Sequence, residues 1–286
     1  LENSRLRIQS LAAPSAPSLT GSYSFSSSTT ALEVRDNLAY VAGFGGVSII
    51  DLSGPQPRLV GATRLTWLAS GLALTGGLAV VPFFQGCALI DVSVPSAPVQ
   101  VGMFPCAAGN RALAALGATV YTRDADANLQ IVDISNPASP TVVRTLNMAD
   151  DVRDVAMDGA LLLVATGTSM HLFDLATPSV PVEIGVFDSG GSWIDAILAV
   201  AGGVAYLSHI DGALVAVDVS KPELPVALGK QMLTDSLRAL AVSGRHAYAV
   251  TDDGSLSALW LGRRITTNVQ VSATISFSPM PAVTYQ

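Results

Sequence analysis

The sequence has no run of eighteen uninterrupted apolar residues, so a membrane-spanning helix is not expected. Its richest apolar stretch, Ile194 to Leu207, is broken by Asp195 and by Gly202-Gly203. Basic residues are scarce. Only Lys221 and Lys230 are lysines, Arg263-Arg264 is the one basic doublet, and the net charge is −7. Nucleic-acid binding needs a basic face that neutralises phosphates and releases counterions, so nucleic acid is rejected as a principal partner. An anionic membrane surface is disfavoured on the same ground. Two cysteines, Cys87 and Cys106, stand nineteen positions apart with no companion pair, which excludes a structural zinc motif. There is no Asn-x-Ser/Thr sequon, G-x-S-x-G elbow, phosphate loop or H-E-x-x-H stretch. The chain opens at Leu1 without a basic-then-apolar leader, which fits a processed exported protein or an excised fragment.

What is present is apolar material in short pieces: half the 286 residues are hydrophobic and only 13% are charged. That excludes a disordered or collagen-like chain. The pieces repeat. LQIVDISNPASPTVV from Leu129 has counterparts in ALIDVSVPSAPVQV from Ala88, LFDLATPSVPVEI from Leu172 and VAVDVSKPELPVAL from Val215. SIIDLSGPQPRLV from Ser48 has a shorter turn, and LRIQSLAAPSAPSLT from Leu6 has Ser10 at the aspartate position. The anchoring residues Asp51, Asp91, Asp133, Asp174 and Asp218 are separated by 40, 42, 41 and 44 positions. Prolines follow at +4 and +7 in the copies at Ser10, Asp91, Asp133, Asp174 and Asp218. Apolar β-formers make a buried strand, the aspartate caps the turn that ends it, and the prolines stop it continuing. Two more short runs precede each aspartate, as with Ala31–Arg35 and Leu38–Ala42 around Asp36-Asn37. Four short strands per forty-odd residues, with no helical period, is the pattern of a propeller blade.

On LQIVD at 129–133, ALID at 88–91, LVAVD at 214–218 and the S-x-P turns after them, the chain resembles the LVIVD-repeat β-propellers, over roughly residues 5 to 262. The resemblance implies an all-β propeller of four-stranded antiparallel blades and an exported or cell-surface setting in bacteria or archaea. Dividing the length by about 41 favours seven blades, with six as the competing count. The expectation is one propeller domain over 1–286, its ring closed by amino- and carboxy-terminal strands. Thr266 to Ser276 would be a closing strand, although residues 265–286 equally suit the start of a linker to a further β-domain.

The candidate sites fall mostly in loops. Pairing strands c and d of the second copy so that Leu89 faces Phe104 and Asp91 faces Gly102 sets Cys87 opposite Cys106. A disulfide there suits export, and two small buried thiols are the alternative. Asp124, Asp126 and Asn128 alternate like the opening of a calcium loop. Leu129 replaces the glycine and Ser135 the final glutamate, so a solvated acidic hairpin is favoured and calcium is the one cofactor considered. The repeat aspartates read as turn caps. His171, His209 and His246 lie in different repeats and read as structural or surface groups. Propeller loops d–a and b–c open on one rim. There the sequence places Trp67, Arg111, Asp150, Asp151, Trp193 and Asp235 in d–a loops, and Phe44, Phe83, Phe84, Asp124, Asp126, His209 and Asp211 in b–c loops. Aromatic and acidic rim groups suit a binding hot spot; the alternative is that they fold back over the blade ends. The favoured reading is a non-catalytic extracytoplasmic binding or assembly module for a protein or surface glycan, within a larger surface structure. A hydrolase or lyase with a metal-assisted site in the central channel is the competing one, against which the apolar strands at 72–76, 113–117 and 197–202 count.

Overall fold

The computed structural model describes residues 5–10, 18–65, 68–111, 113–190, 194–232, 237–243, 246–251 and 256–260. The chain divides into two compact units, split in sequence between Asn147 and Met148. The first opens with a hairpin of β1 (Arg5–Ser10) and β2 (Ser18–Ser24). Three four-stranded blades follow. They are β3 (Thr29–Arg35), β4 (Leu38–Gly43), β5 (Gly46–Asp51) and β6 (Arg58–Ala62); β7 (Ala73–Thr75), β8 (Leu78–Phe83), β9 (Gly86–Asp91) and β10 (Val99–Phe104); and β11 (Leu113–Leu116), β12 (Thr119–Arg123), β13 (Leu129–Asp133) and β14 (Thr141–Leu146). The second unit holds β15 (Asp154–Asp158), β16 (Leu161–Ala165), β17 (Ser169–Asp174) and β18 (Val182–Asp188), then β19 (Ile194–Ala201), β20 (Val204–His209), β21 (Ala213–Asp218) and β22 (Val226–Met232). Its last sheet has three strands, β23 (Leu237–Ser243), β24 (His246–Thr251) and β25 (Leu256–Trp260).

The fold is an all-β propeller of four-stranded antiparallel blades, but the blade count differs from expectation. Five complete blades stand among the described residues, where repeat arithmetic expects seven or six. Division counts residues, whereas a blade needs four paired strands. The β1–β2 hairpin has two and β23–β25 has three. The closing strand expected over 266–276, and all of 265–286, lie outside the described residues.

Short-range chemistry fixes each blade. The first two strands join through two-residue turns. At Asp36 and Asn37 both residues are left-handed (φ 50° and 61°), as are Gly202 and Gly203 (φ 61° and 75°), which is the geometry of a type I′ hairpin. At the end of the third strand every repeat aspartate accepts the N–H two residues on. The donors are Ser53 (2.8 Å), Ser93 (2.9 Å), Ser135 (2.8 Å), Ala176 (3.0 Å) and Ser220 (2.9 Å). The proline at +4 then occupies the second position of a β-turn. Ala97 N–H closes onto Val94 O, Ser139 onto Asn136 O, Val180 onto Thr177 O and Leu224 onto Lys221 O, each at 2.9 Å.

The third and fourth strands of every blade then shift register at the same place, opposite the residue two before the aspartate. Gly61, Gly102, Gly185 and Gly229 sit at that shift; β14 has Arg144 there. The glycine is needed because the next blade's proline turn lies against it. A Cβ on Gly61 would strike Pro95 O, one on Gly102 Pro137 O, and one on Gly185 Pro222 O.

Within each unit, the inner strands bury their apolar faces between consecutive blades. Val47 and Ile49 of β5 pack with Ala79 and Val81 of β8, while Val80 and Leu89 face Val120 and Val132 of the following blade. In the second unit Leu163 and Leu172 pack with Leu207 and Val217. Hydroxyls tie the first strands and the segments flanking them to the next blade: Thr30 donates to Ala69 O (2.7 Å), Ser70 to Asn110 O (2.7 Å) and Thr75 to Gly117 O (2.7 Å).

Candidate functional site

Cys87 and Cys106 are bonded, with Cα atoms 5.8 Å apart. The register that brings them together differs from expectation. Leu89 pairs with Gly102 and Asp91 with Val99, while Cys87 faces Phe104. The bulge between Gln100 and Gly102 moves the strands, and Cys106 reaches back from just beyond β10.

The structure separates the expected rim residues. Phe83 is not a loop residue but the last of β8, 4% exposed in the core cluster with Ala79 and Val81. His209 likewise ends β20 and is buried. In both, pairing continues into the expected loop: Phe83 pairs with Gly86 and His209 with Ile194. Phe84 and Arg111 are exposed, as expected of loop groups. Asp211 is tied down: Lys230 Nζ donates to Oδ2 at 2.8 Å and Ala213 N–H to Oδ1 at 3.0 Å. These bonds, the Lys230 one first, hold its carboxyl below the usual range. Trp67, Trp193 and Asp235 lie outside the described residues.

Asp124, Asp126 and Asn128 fold into one tight turn. Asp124 Oδ1 accepts the N–H groups of Asp126 (3.0 Å) and Asn128 (2.8 Å), and Asn128 Nδ2 donates to its Oδ2 at 3.1 Å. Both carboxylate oxygens of Asp124 are thus engaged within the hairpin. Among the described residues no group of three or more His, Cys, Asp or Glu side chains could hold a metal ion. His171 Nδ1 lies 2.7 Å from Glu183 Oε1 across β17 and β18. His209 has neither ring nitrogen hydrogen-bonded, and burial pushes its pKa down.

Sequence reasoning missed a cavity of about 380 Å³ at the b–c end of the first blade. Its floor is the Gly43–Gly46 turn between β4 and β5, and its walls are the segments 25–29 and 62–65. Phe44 N–H donates to Ser28 O (2.8 Å), Ser27 Oγ to Phe44 O (2.8 Å) and Leu65 N–H to Gly45 O (3.1 Å). Glycine permits this closeness. A Cβ on Gly43 would strike Ser28 O, and one on Gly46 (φ 120°) would strike Thr63 O. Phe44 stands 58% exposed at the mouth and bridges to Leu68. The only available sequence signal was the run of small residues, Ser26 to Ser28 and Gly43 to Gly46, which resembles any loop.

The LVIVD repeat is matched four times, over residues 27–62, 68–105, 111–147 and 196–232, more than half the chain. The chain belongs to the LVIVD-repeat family. Three of the matches correspond to the three complete blades of the first unit, and the fourth to β19–β22. No curated protein matches this LVIVD-repeat chain. Among solved structures it is similar to BamB from Moraxella catarrhalis, at 16% identity and TM-score 0.60, covering 87% of this chain and 76% of that one. It is also similar to a chain of a Mitotic Checkpoint Complex structure, at 18% identity and TM-score 0.70, covering 90% and 81%. A third is the β-propeller domain of Cps50 (Swd1) from Myceliophteria thermophila, at 14% identity and TM-score 0.65, covering 82% and 84%. These likenesses concern the fold.

Proposed function

We propose that this LVIVD-repeat protein is a non-catalytic, extracytoplasmic binding or assembly module, one propeller domain whose rim loops take a protein or a surface glycan. The observation that carries the reading is the exposure of large apolar side chains on short b–c turns: Phe44 at 58%, Phe84 at 69% and Ile210 at 72%. Such groups on braced turns cost little conformational entropy to dock, which is what hot-spot residues require. The Cys87–Cys106 disulfide supports an oxidising compartment. The similar fold within a Mitotic Checkpoint Complex structure supports a role in assembly. No helix among the described residues is long and apolar enough to cross a membrane.

The test combines a glycan array with cross-linking capture from an envelope extract, using the wild-type chain and Phe44→Ala/Phe84→Ala. Loss of the bound species with an unchanged melting temperature is the expected result. Trp67→Ala and Trp193→Ala should act in the same direction. Binding that survives all four substitutions would overturn the rim reading.

A further inference from the structure

Resting on that reading, the geometry points to the cavity beside Phe44 as a binding site for a carboxylate-bearing saccharide. Its volume of about 380 Å³ lies within the usual range of small-molecule pockets. Six of the fifteen lining residues bear hydroxyls, among them Ser26, Ser28, Ser48 and Thr63, beside an apolar share of similar extent. Each can donate and accept, which suits a ligand that is itself a polyol. Phe44 adds an exposed ring at the mouth, able to lie against the C–H face of a sugar.

The charge inside the cavity is the reverse of the molecule's. The chain carries −7, yet no Asp or Glu lines the cavity and its one charged side chain is Arg64. Arg64 is exposed and has no ion-pair partner among the described residues. Its planar fork is matched to a carboxylate, which it can engage through two parallel hydrogen bonds. A single cation is too little for a polyphosphate. An extended peptide would seek a free strand edge, and β4 and β5 are each paired on both sides. The pocket is also formed in advance. Gly43 and Gly46 let the walls close onto the turn, so its width is set by backbone.

The experiment is calorimetric titration of the full chain with tetragalacturonate and with the neutral galactose tetrasaccharide, alongside amide NMR. We expect the acidic sugar to bind about tenfold more tightly than the neutral one, the scale of one charge-assisted hydrogen-bond pair. Arg64→Gln should abolish that difference, Arg64→Lys should restore part of it, and Phe44→Ala should weaken both sugars. Amide shifts should centre on Ser27, Phe44 and Thr63. Equal affinity for the two sugars overturns the carboxylate assignment and leaves the rim function standing. The same holds if neither sugar binds while Phe44→Ala/Phe84→Ala still loses its captured partner. Loss of neither property in those variants overturns both proposals.

Discussion

Asp51, Asp91 and Asp133 share one bond and differ in what else they meet. Each accepts the N–H two residues on, and Asp51 also takes the Ser53 hydroxyl at 2.6 Å and Arg58 at 2.9 Å. The Ser53 hydroxyl first, then its amide and Arg58, hold the Asp51 carboxyl down at about 2. The Ser93 hydroxyl and amide lower Asp91, and the Ser135 amide and hydroxyl lower Asp133. A carboxylate that titrates lower when folded binds fewer protons than in the unfolded chain. Its contribution is therefore complete above pH ~4 and lost as pH falls through the folded value. Thermal melts should show stability declining between pH 4 and Asp51's value of about 2, and Asp51→Asn should flatten part of that decline. His209 acts in a higher window. Burial lowers its pKa, so the unfolded chain takes up the proton first and stability falls as pH drops below about 6.5. His209→Leu should remove that slope and add on the order of 1 kcal/mol at neutral pH, because two unbonded buried nitrogens are replaced by hydrocarbon. A slope that persists in the variant would place its origin elsewhere.

At the scale of strands, the joint between blades is a glycine against a proline turn. Gly102→Ala should cost about 1–3 kcal/mol, since the added carbon meets the Pro137 carbonyl, which is backbone and cannot swing away. Gly45→Ala is the comparison at a glycine with open space around it: it carries a positive-φ penalty without a clash. Chemical denaturation that ranks Gly45→Ala the more damaging would refute the joint. The turn that supplies Pro137 was legible beforehand, because Asp, Pro and Pro at fixed offsets have one structural use. The joint itself was not, since a lone glycine in VQVGMF says nothing about a turn thirty-five residues away. The cysteine register was misjudged because Leu89 lies opposite Gly102 instead of Phe104, a two-residue shift that leaves the two faces of an alternating apolar pattern unchanged, and the bulge adds one more residue by Asp91. Phe83 and His209 were placed in b–c loops because each directly follows the apolar run of its second strand, whereas pairing carries that strand one residue further. Where such a strand ends depends on packing that sequence spacing does not encode. The cavity escaped notice for a different reason: serine and glycine loops are common, and only the backbone arrangement makes this one a container.

For the whole molecule, charge and apolar surface act together. Exposed Leu59, Val99, Met103, Val142, Val182, Val186 and Val226 lie on the outermost strands, while only 13% of residues are charged. Near the isoelectric point of about 4.8 little repulsion remains between such surfaces, so light scattering should show a solubility minimum there. Reduction of the disulfide should lower the unfolding free energy by about 3 kcal/mol, the loop-closure value for a separation of 19. A melting temperature unaffected by reductant would contradict it. The glycine-and-turn joint has a further consequence at this scale. Where the fourth strand carries the glycine socket, at Gly61, Gly102 and Gly185, the plug that fills it lies some thirty-five residues later, in the proline turn of the next repeat. A gene segment duplicated in tandem would therefore bring both halves of the connection with it. Lineages could lengthen or shorten such a protein by whole repeats without inventing a new contact, and a recombination point between socket and plug would be tolerated wherever the next copy supplies the missing half.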